Sequence, residues 1–144
     1  MYDDFTERRL ILVEIQKRLL NKFPEEDYNI YIFGSFIRDD FKPKYSDIDI
    51  GILCENPTKR FELLDFISDI LEELIPIKRD IVTVELQPDC FVNIDILTSP
   101  FHFTGYRPEG LDIYLYRLLR KRREVQYFRN RARDVSKRRI AGLF

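Results

Sequence analysis

The sequence contains few of the residues used in disulfide frameworks, zinc sites and nucleophilic triads. Its 144 residues include two cysteines, Cys54 and Cys90, and one histidine, His102. Two cysteines are too few for a disulfide framework, and neither stands at a metal-ligand spacing. We interpret both as buried thiols of a reducing compartment. His102 has no partner residues that would complete a metal site or a triad, so the chemistry must be sought in other side chains.

Long apolar runs are also lacking. No stretch approaches the roughly 20 apolar residues that a membrane helix needs, and the opening MYDDFTERR is charged and has no apolar signal core. Apolar residues still make up 44% of the chain and aromatic residues 14%, which is enough for a core. A chain of this length corresponds to one domain. We therefore expect a single cytoplasmic domain over residues 1–144 that does not contact a membrane.

The net charge of -1 is unevenly distributed along the chain. Between Arg117 and Arg139, eleven lysines and arginines stand against two acids, a net charge of +9, so the other residues carry -10. An acidic body favours a cation site, and a basic helix or tail over residues 111–144 favours an anionic partner. Nucleic acid, a protein partner and simple solvation all remain open for this tail. Tyr127 and Phe128 could stack on bases or complete the core.

Periodicity and breaker residues predict an alternation of helices and strands. We expect a mixed sheet with helices packed on one face. The predicted helices cover residues 6–22, 35–40, 58–74 (capped by Thr58) and 111–131, and the predicted strands cover 30–33, 47–54, 80–86 and 91–97, the last two joined as a hairpin through the turn at 87–90.

Two aspartates in one strand are the most informative feature. Asp47 and Asp49 stand two residues apart, so both carboxylates point to the same face. Such neighbours repel each other unless a cation lies between them, and their oxygens suit Mg²⁺. Upstream, Gly34 allows a close backbone approach and Ser35 begins a short helix whose N–H groups favour phosphate. The pattern indicates a site for a metal ion and a phosphate group.

A two-metal site usually needs a third carboxylate, and the candidates are Asp80 and Asp95. Around Asp95 the isoleucines alternate with Asn93 and Asp95, as they do around Asp47 and Asp49. Around Asp80, valines share the side of the aspartate. Strand alternation therefore favours Asp95, with Asp80 as the alternative.

The segments Gly34-Ser35 and Asp47-Ile48-Asp49 resemble the signature of the DNA polymerase β superfamily of nucleotidyltransferases. Gly34-Ser35-Phe36-Ile37-Arg38 is similar to the Gly-Ser-Phe-Arg-Arg segment of family X polymerases, which implies triphosphate contacts for Ser35 and Arg38. Asn93-Ile94-Asp95-Ile96-Leu97 resembles the third-aspartate strand. By this resemblance Asp47 and Asp49 bind both metals and Asp95 activates the acceptor hydroxyl.

The resemblance covers residues 28–105. Phe101-His102-Phe103-Thr104-Gly105 is similar to a family X segment that lies against the sugar of the nucleotide, which implies nucleotide contacts for His102 and Phe103. In those polymerases the segment lies farther beyond the third aspartate. The chain after Gly105 is too short for a polymerase thumb, so the closer resemblance is to minimal nucleotidyltransferases. Their third carboxylate lies nearer the pair, roughly at Asp80.

The resemblance implies an α/β, polymerase β palm-like fold and transfer of a nucleoside monophosphate from an NTP, expected to be ATP, to a hydroxyl group. It also implies two Mg²⁺ ions, with Mn²⁺ as a substitute. The acceptor would be a nucleic acid end or a protein, as in minimal nucleotidyltransferases that act as antitoxins and modify a toxin, and proteins of this class often work as a homodimer or with a second protein. The alternative is an inactive nucleotide- or partner-binding domain of the antitoxin type.

Overall fold

The computed structural model describes residues 4–142, with side chains for residues 4–135. The chain divides into two compact units. The first contains the described residues up to Glu85 together with Asp95–Pro108, and the second contains Leu86–Ile94 with the described residues from Glu109 onward. A single domain over residues 1–144 stays a prediction.

The first unit is built on a mixed sheet of four strands in the order β3-β2-β1-β4. β1 is antiparallel to both β2 and β4, whereas β2 and β3 are parallel. This sheet with its helices confirms the predicted α/β class. The strands are β1 (Tyr28–Phe33), β2 (Ile48–Cys54), β3 (Arg79–Thr83) and β4 (Phe101–His102), and the helices are α1 (Phe5–Lys22), α2 (Pro57–Leu74), α3 (Val92–Leu97) and α4 (Leu111–Gly142).

The core lies on the sheet face that α1 and α2 cover. Alternate isoleucines of β1 and β2 point into it, and they meet one stripe from each helix. Each fully buried side chain of this kind contributes about 1.5–3 kcal/mol relative to exposure. The members at 4% exposure or less are Leu12, Ile15, Leu19, Ile30, Ile32, Ile48, Ile50, Ile52, Leu63, Ile67, Ile70 and Leu71. Because residues alternate along β2, Asp49 and Gly51 point to the other face.

Local capping sets where α2 begins. The side chain of Asn56 accepts a hydrogen bond of 3.2 Å from the backbone N–H of Lys59, and Pro57 occupies the first turn. The cap predicted at Thr58 was therefore wrong by two residues. Proline at the first helical position needs no N–H partner, so the helix can begin two residues earlier than a cap at Thr58 would allow.

The predicted strand over residues 91–97, and with it the hairpin, is wrong. The segment forms α3, and Gln87–Cys90 continues into helical turns through the bonds from Asn93 N–H to Cys90 C=O and from Ile94 N–H to Phe91 C=O, both 3.1 Å. A run of six residues with Ile94, Ile96 and Leu97 buried satisfies both a helical and a strand period. Six residues are too few for the length of the run to distinguish a short helix from a strand.

Three smaller differences concern strands and turns. β3 ends at Thr83 rather than at residue 86, and β4 was not predicted. The helix expected over residues 35–40 is only a 3₁₀ turn, Gly34–Ile37. A four-residue turn has little dipole of its own, so the backbone geometry of Gly34 matters more than a helix terminus.

In the second unit, α4 extends beyond the predicted end at Arg131 to Gly142, and its 32 residues span about 48 Å. Leu111, Leu115 and Leu118 are buried, but Tyr127 and Phe128 are 58% and 66% exposed and do not complete a core. The side chains of residues 137–139, part of the predicted basic segment, lie outside the described residues. No helix of the described chain is both long enough and apolar enough to cross a bilayer.

Candidate active site

The carboxylates gather at the sheet edge where β1 ends and β2 and β3 begin. In the ladder, Asp49 lies opposite Phe33 on β1 and opposite Asp80 on β3. Ladder partners share a face and lie about 4.8 Å apart, so Asp49 and Asp80 are neighbours on one side of the sheet. Asp47 directly precedes β2, and both Asp47 and Asp49 are half-buried. The register thus brings three carboxylates to one edge.

Gly34 forms the wall of this site on the β1 side. Its φ is 75°, a left-handed conformation that favours glycine. A Cβ atom at this position would overlap Oδ2 of Asp49 and lie 3.1 Å from its Cγ. Both the backbone conformation and the space therefore require glycine, and the backbone of the Gly34–Ile37 turn passes directly beside the Asp49 carboxylate.

The charges at this edge act on Asp49. Burial raises the pKa of the Asp49 carboxyl group, the charges of Asp80 and Asp47 raise it further, and the charge of Arg38 lowers it. Desolvation and like charges both disfavour the ionised form. A cation bound at this edge would relieve both effects.

The carboxylate oxygens of Asp47, Asp49 and Asp80 are the candidate ligands for Mg²⁺. Within the part of the chain that has described side chains, no three His, Cys, Asp or Glu groups already converge on one point. Mg²⁺ commonly takes one or two carboxylates and completes its shell with substrate phosphates and water. The hard oxygens of Asp47, Asp49 and Asp80 beside the Gly34 backbone fit this ion.

Arg38 directly follows the 3₁₀ turn and lies at the surface. Its Nε and Nη2 atoms donate to the two Asp40 carboxylate oxygens at 3.0 and 3.2 Å. This pairing is the main reason that the pKa of Arg38 is raised, and the charges of Asp49 and Asp95 add to it. The backbone N–H of Arg38 donates to Ser35 C=O at 2.9 Å, which closes the turn. Arg38 thus places an exposed cation beside the carboxylates.

The two candidates for the third carboxylate occupy different positions. Asp80 is the ladder partner of Asp49, and its charge raises the pKa of Asp49. Asp95 is exposed on α3, and its charge acts on Arg38. Strand alternation, which favoured Asp95, does not apply there because Val92–Leu97 forms α3 rather than a strand. The face that Asp80 shares with Asp49 and Gly51 is covered locally by α3, since a Cβ on Gly51 would lie 2.6 Å from Ile96 Cγ2.

The segment with His102 and Phe103 is fastened to β1. The Asn29 side chain oxygen accepts from the N–H groups of Phe103 (3.2 Å) and Thr104 (3.0 Å), and Phe103 N–H also donates to Ile30 C=O at 3.0 Å. The Phe103 ring belongs to the core, where the side chain is 7% exposed. His102 is exposed opposite Tyr31, roughly 12 Å from Asp49 by ladder spacings. Phe103 therefore packs in the core, and His102 lies away from the carboxylates.

Arg8 is a residue of this region that the sequence interpretation missed. It is 1% exposed, and its Nε and Nη2 atoms donate to the carbonyls of Phe36 (2.9 Å) and Arg38 (2.8 Å). A signal was present, because Arg8 falls on the buried stripe of α1, four and seven residues before Leu12 and Ile15. A charged side chain on a core-facing stripe points to a specific partner inside the protein.

The mixed sheet brings the carboxylates of Asp49 and Asp80 together beside the Gly34 turn. The sequence profile of the nucleotidyltransferase domain matches residues 12–100, which is more than half of the chain and includes every carboxylate described above. The chain therefore belongs to the nucleotidyltransferase domain family. This assignment confirms the resemblance found in the sequence.

Three solved structures are similar in fold. The tri-AMPylated Shewanella oneidensis HEPN toxin with MNT antitoxin has 21% identity over 90% of this chain and 98% of that chain, with a TM-score of 0.48. The MntA–HepT toxin–antitoxin has 20% identity, the same coverages and a TM-score of 0.47. A toxin–antitoxin with AMP-PNP has 20% identity over 86% and 97%, with a TM-score of 0.49. These scores are too low to support inferences about this chain. None of the curated proteins matches it.

Proposed function

We propose that this chain is a Mg²⁺-dependent nucleotidyltransferase, which moves a nucleoside monophosphate from an NTP, expected to be ATP, to a hydroxyl acceptor and releases pyrophosphate. One observation carries the proposal. The Gly34 backbone lies against the Asp49 carboxylate, which Asp80 flanks in register on the next strand. This arrangement offers phosphate and metal positions side by side in a member of the nucleotidyltransferase domain family.

The family resemblance supplies the roles of Ser35 and Arg38, and the geometry of the site supports those of Gly34 and the carboxylates. The Gly34 backbone admits the triphosphate close to the carboxylates, and the Ser35 hydroxyl and the Arg38 guanidinium bind its oxygens. Asp47 and Asp49 hold the metal ions, with Asp80 or Asp95 as the third carboxylate. When bound, Mg²⁺, or Mn²⁺ as a substitute, neutralises the phosphate charge and lowers the pKa of the acceptor hydroxyl. The protein then acts by positioning and charge placement, and no protein nucleophile is needed.

The third carboxylate receives the proton of the acceptor hydroxyl. At the same time the acceptor oxygen bonds to the α-phosphorus, and the bond from the α-phosphorus to pyrophosphate breaks. Asp80 is better placed than Asp95 for this role, because it is the ladder partner of Asp49. Asp95 is the competing assignment, since its charge reaches Arg38 on the phosphate side.

Transfer is tested with ATP radiolabelled at the α-phosphate, in the presence and absence of Mg²⁺. Two acceptors are offered separately: a single-stranded RNA with a free 3′-hydroxyl, and any small helical protein whose gene adjoins the gene of this chain. Label on either one supports the proposal and names the acceptor class. Asp49→Asn should transfer no label. Asp65→Asn, at an exposed position of α2, is the matched control and should label the acceptor as the wild type does. Label that persists at the wild-type level in Asp49→Asn would contradict the mechanism.

A second candidate function is binding of single-stranded nucleic acid by α4 without catalysis. Arginines and lysines dominate its exposed surface, and the neighbouring rings of Tyr127 and Phe128 are open to stacking. Anisotropy of a labelled RNA at about 50 and about 200 mM salt tests this function. We expect steep salt dependence and weaker binding when both rings are replaced with alanine, but not in Tyr116→Ala, whose ring is also exposed on α4. Binding that is absent or insensitive to salt would exclude this candidate.

A further inference from the structure

Arg8 is a buried cation that holds the proposed phosphate-binding turn from inside the protein. Its side chain extends from α1 and is 1% exposed. Two of its guanidinium nitrogens donate to carbonyls that are two residues apart, at Phe36 (2.9 Å) and Arg38 (2.8 Å). These carbonyls lie at the end of the Gly34–Ile37 turn and just after it. Arg8 therefore fixes the end of this turn where it leaves the site.

Aromatic rings hold the guanidinium in place. Its Cζ atom lies 4.7 Å from the ring centroid of Phe41, 5.5 Å from that of Phe5 and 5.9 Å from that of Phe36. The faces of such rings attract cations. Phe36 belongs to the turn itself and is fully buried, so it contacts the guanidinium through its ring and also accepts a hydrogen bond through its carbonyl.

We propose that Arg8 is a positioning residue that holds the Gly34–Ile37 turn in the conformation that receives the triphosphate. The turn is a single 3₁₀ turn that begins at a glycine with φ of 75°. Besides its buried Phe36 ring and its closing Arg38–Ser35 bond, two directed hydrogen bonds from Arg8 hold it. A small displacement of this turn would move the Gly34 backbone relative to Asp49. Misplacement by about 1 Å is enough to cost about 100-fold in a catalysed reaction. This inference rests on the proposed function.

The shape of the guanidinium suits both carbonyls at once. Its planar fork presents several N–H donors at fixed angles, whereas the lysine ammonium is a single point charge on a flexible stem. Arg8→Lys keeps the charge and most of the apolar contact but cannot reproduce the two directed bonds. It is therefore the decisive variant, and Arg9→Lys, at the next, exposed position of α1, is its matched control.

Two measurements are made well below the unfolding midpoint of each variant. Calorimetry of ATP with Mg²⁺ is expected to show about tenfold weaker or worse binding in Arg8→Lys, with wild-type binding in Arg9→Lys. Hydrogen exchange is expected to show faster exchange at the Arg38 amide, which donates to Ser35 C=O, with unchanged exchange in β2. A purely structural role would lower the midpoint and leave both quantities unchanged at low temperature.

Chemical rescue adds a third readout. Guanidinium ion at low concentration should restore nucleotide binding to Arg8→Ala and should not restore it to Ser35→Ala. If Arg8→Lys does not fold, the same measurements are made on Phe41→Leu, which removes the nearest ring and should also speed exchange at Arg38. Wild-type binding and wild-type exchange in a folded Arg8→Lys would overturn the inference. Absence of ATP binding in the wild-type protein would instead count against the proposed function, and the exchange result would still decide the role of Arg8.

Discussion

Replacing Gly34 with alanine should damage the site through backbone strain and through a steric clash with Asp49. Gly110 and Gly105 allow these two effects to be measured separately. Gly34 has a positive φ of 75°, and a Cβ there would overlap the Asp49 carboxylate. Gly110 has a φ of 83° but open space around its Cβ position, and Gly105 has open space and no positive φ. The three alanine variants therefore form a matched series.

The expected magnitudes follow from these geometries. A left-handed conformation costs an alanine about 1–2 kcal/mol, which applies to Gly34 and Gly110 but not to Gly105. For a chain of this size, that loss lowers the unfolding midpoint by about 3–8 °C. In Gly34→Ala the added methyl group must also displace the Asp49 carboxylate, so the loss should exceed that of Gly110→Ala. Gly105→Ala should be neutral or slightly stabilising, because alanine restricts the unfolded chain.

Thermal unfolding measures the stability series, and calorimetry with ATP and Mg²⁺ measures the effect on the site. We expect only Gly34→Ala to lose nucleotide affinity, and its rate of transfer should fall by about 100-fold if the carboxylate moves by about 1 Å. If Gly34→Ala binds nucleotide as well as Gly105→Ala does, the Gly34 backbone is not the wall of the site and the reasoning fails.

Three further predictions concern the carboxylates, the second sheet face and the alkaline limit of stability. Asp80→Asn should slow transfer by about 100-fold or more and by more than Asp95→Asn does, and the reverse order in a labelling assay would assign the third carboxylate to Asp95. Gly51→Ala should cost about 1–3 kcal/mol in denaturant unfolding because its Cβ would lie 2.6 Å from Ile96 Cγ2; adding Ile96→Leu, which removes that branch, should recover part of the loss, and no recovery would argue against this contact. Burial raises the pKa of Tyr28 from 10.0 to about 12, so the unfolded chain ionises first and stability should fall as the pH rises from about 10 to about 12. Tyr28→Phe should lose about 1 kcal/mol at neutral pH with the bond to Phe23 C=O and show a shallower alkaline decline; an equally steep decline would exclude Tyr28 as its cause.

The parts of the site that depend on local sequence were predictable. The strand at Asp47–Cys54 alternates between aspartate or glycine and isoleucine, and the structure forms β2 over Ile48–Cys54. A glycine directly after an apolar run marked the end of β1. Such signals lie within a few residues of each other, so one stretch of chain contains all the information needed.

The parts that depend on pairing between distant segments were not predictable. The register of Asp49 with Asp80 joins strands 31 residues apart, and no local pattern specifies it. The predicted fold had helices on one face of the sheet, whereas Ile96 of α3 covers Gly51 on the other face. The six residues of α3 suit both the helical and the strand period, and they were wrongly predicted as a strand. The position of Arg8 on the buried stripe of α1 marked it as a buried cation, but its partners could not be predicted, because they are backbone carbonyls, which no residue type marks.

The central claim is that Asp49 and its neighbours bind a triphosphate together with Mg²⁺. Calorimetry of the common ribonucleoside triphosphates with Mg²⁺, on the wild type, Asp49→Asn and Asp65→Asn, tests it most directly. We predict Mg²⁺-dependent binding in the wild type and in Asp65→Asn, and none in a fully folded Asp49→Asn, whose neutral side chain no longer meets the charges of Asp47 and Asp80. Equal binding by all three proteins would contradict the claim and place the nucleotide site elsewhere.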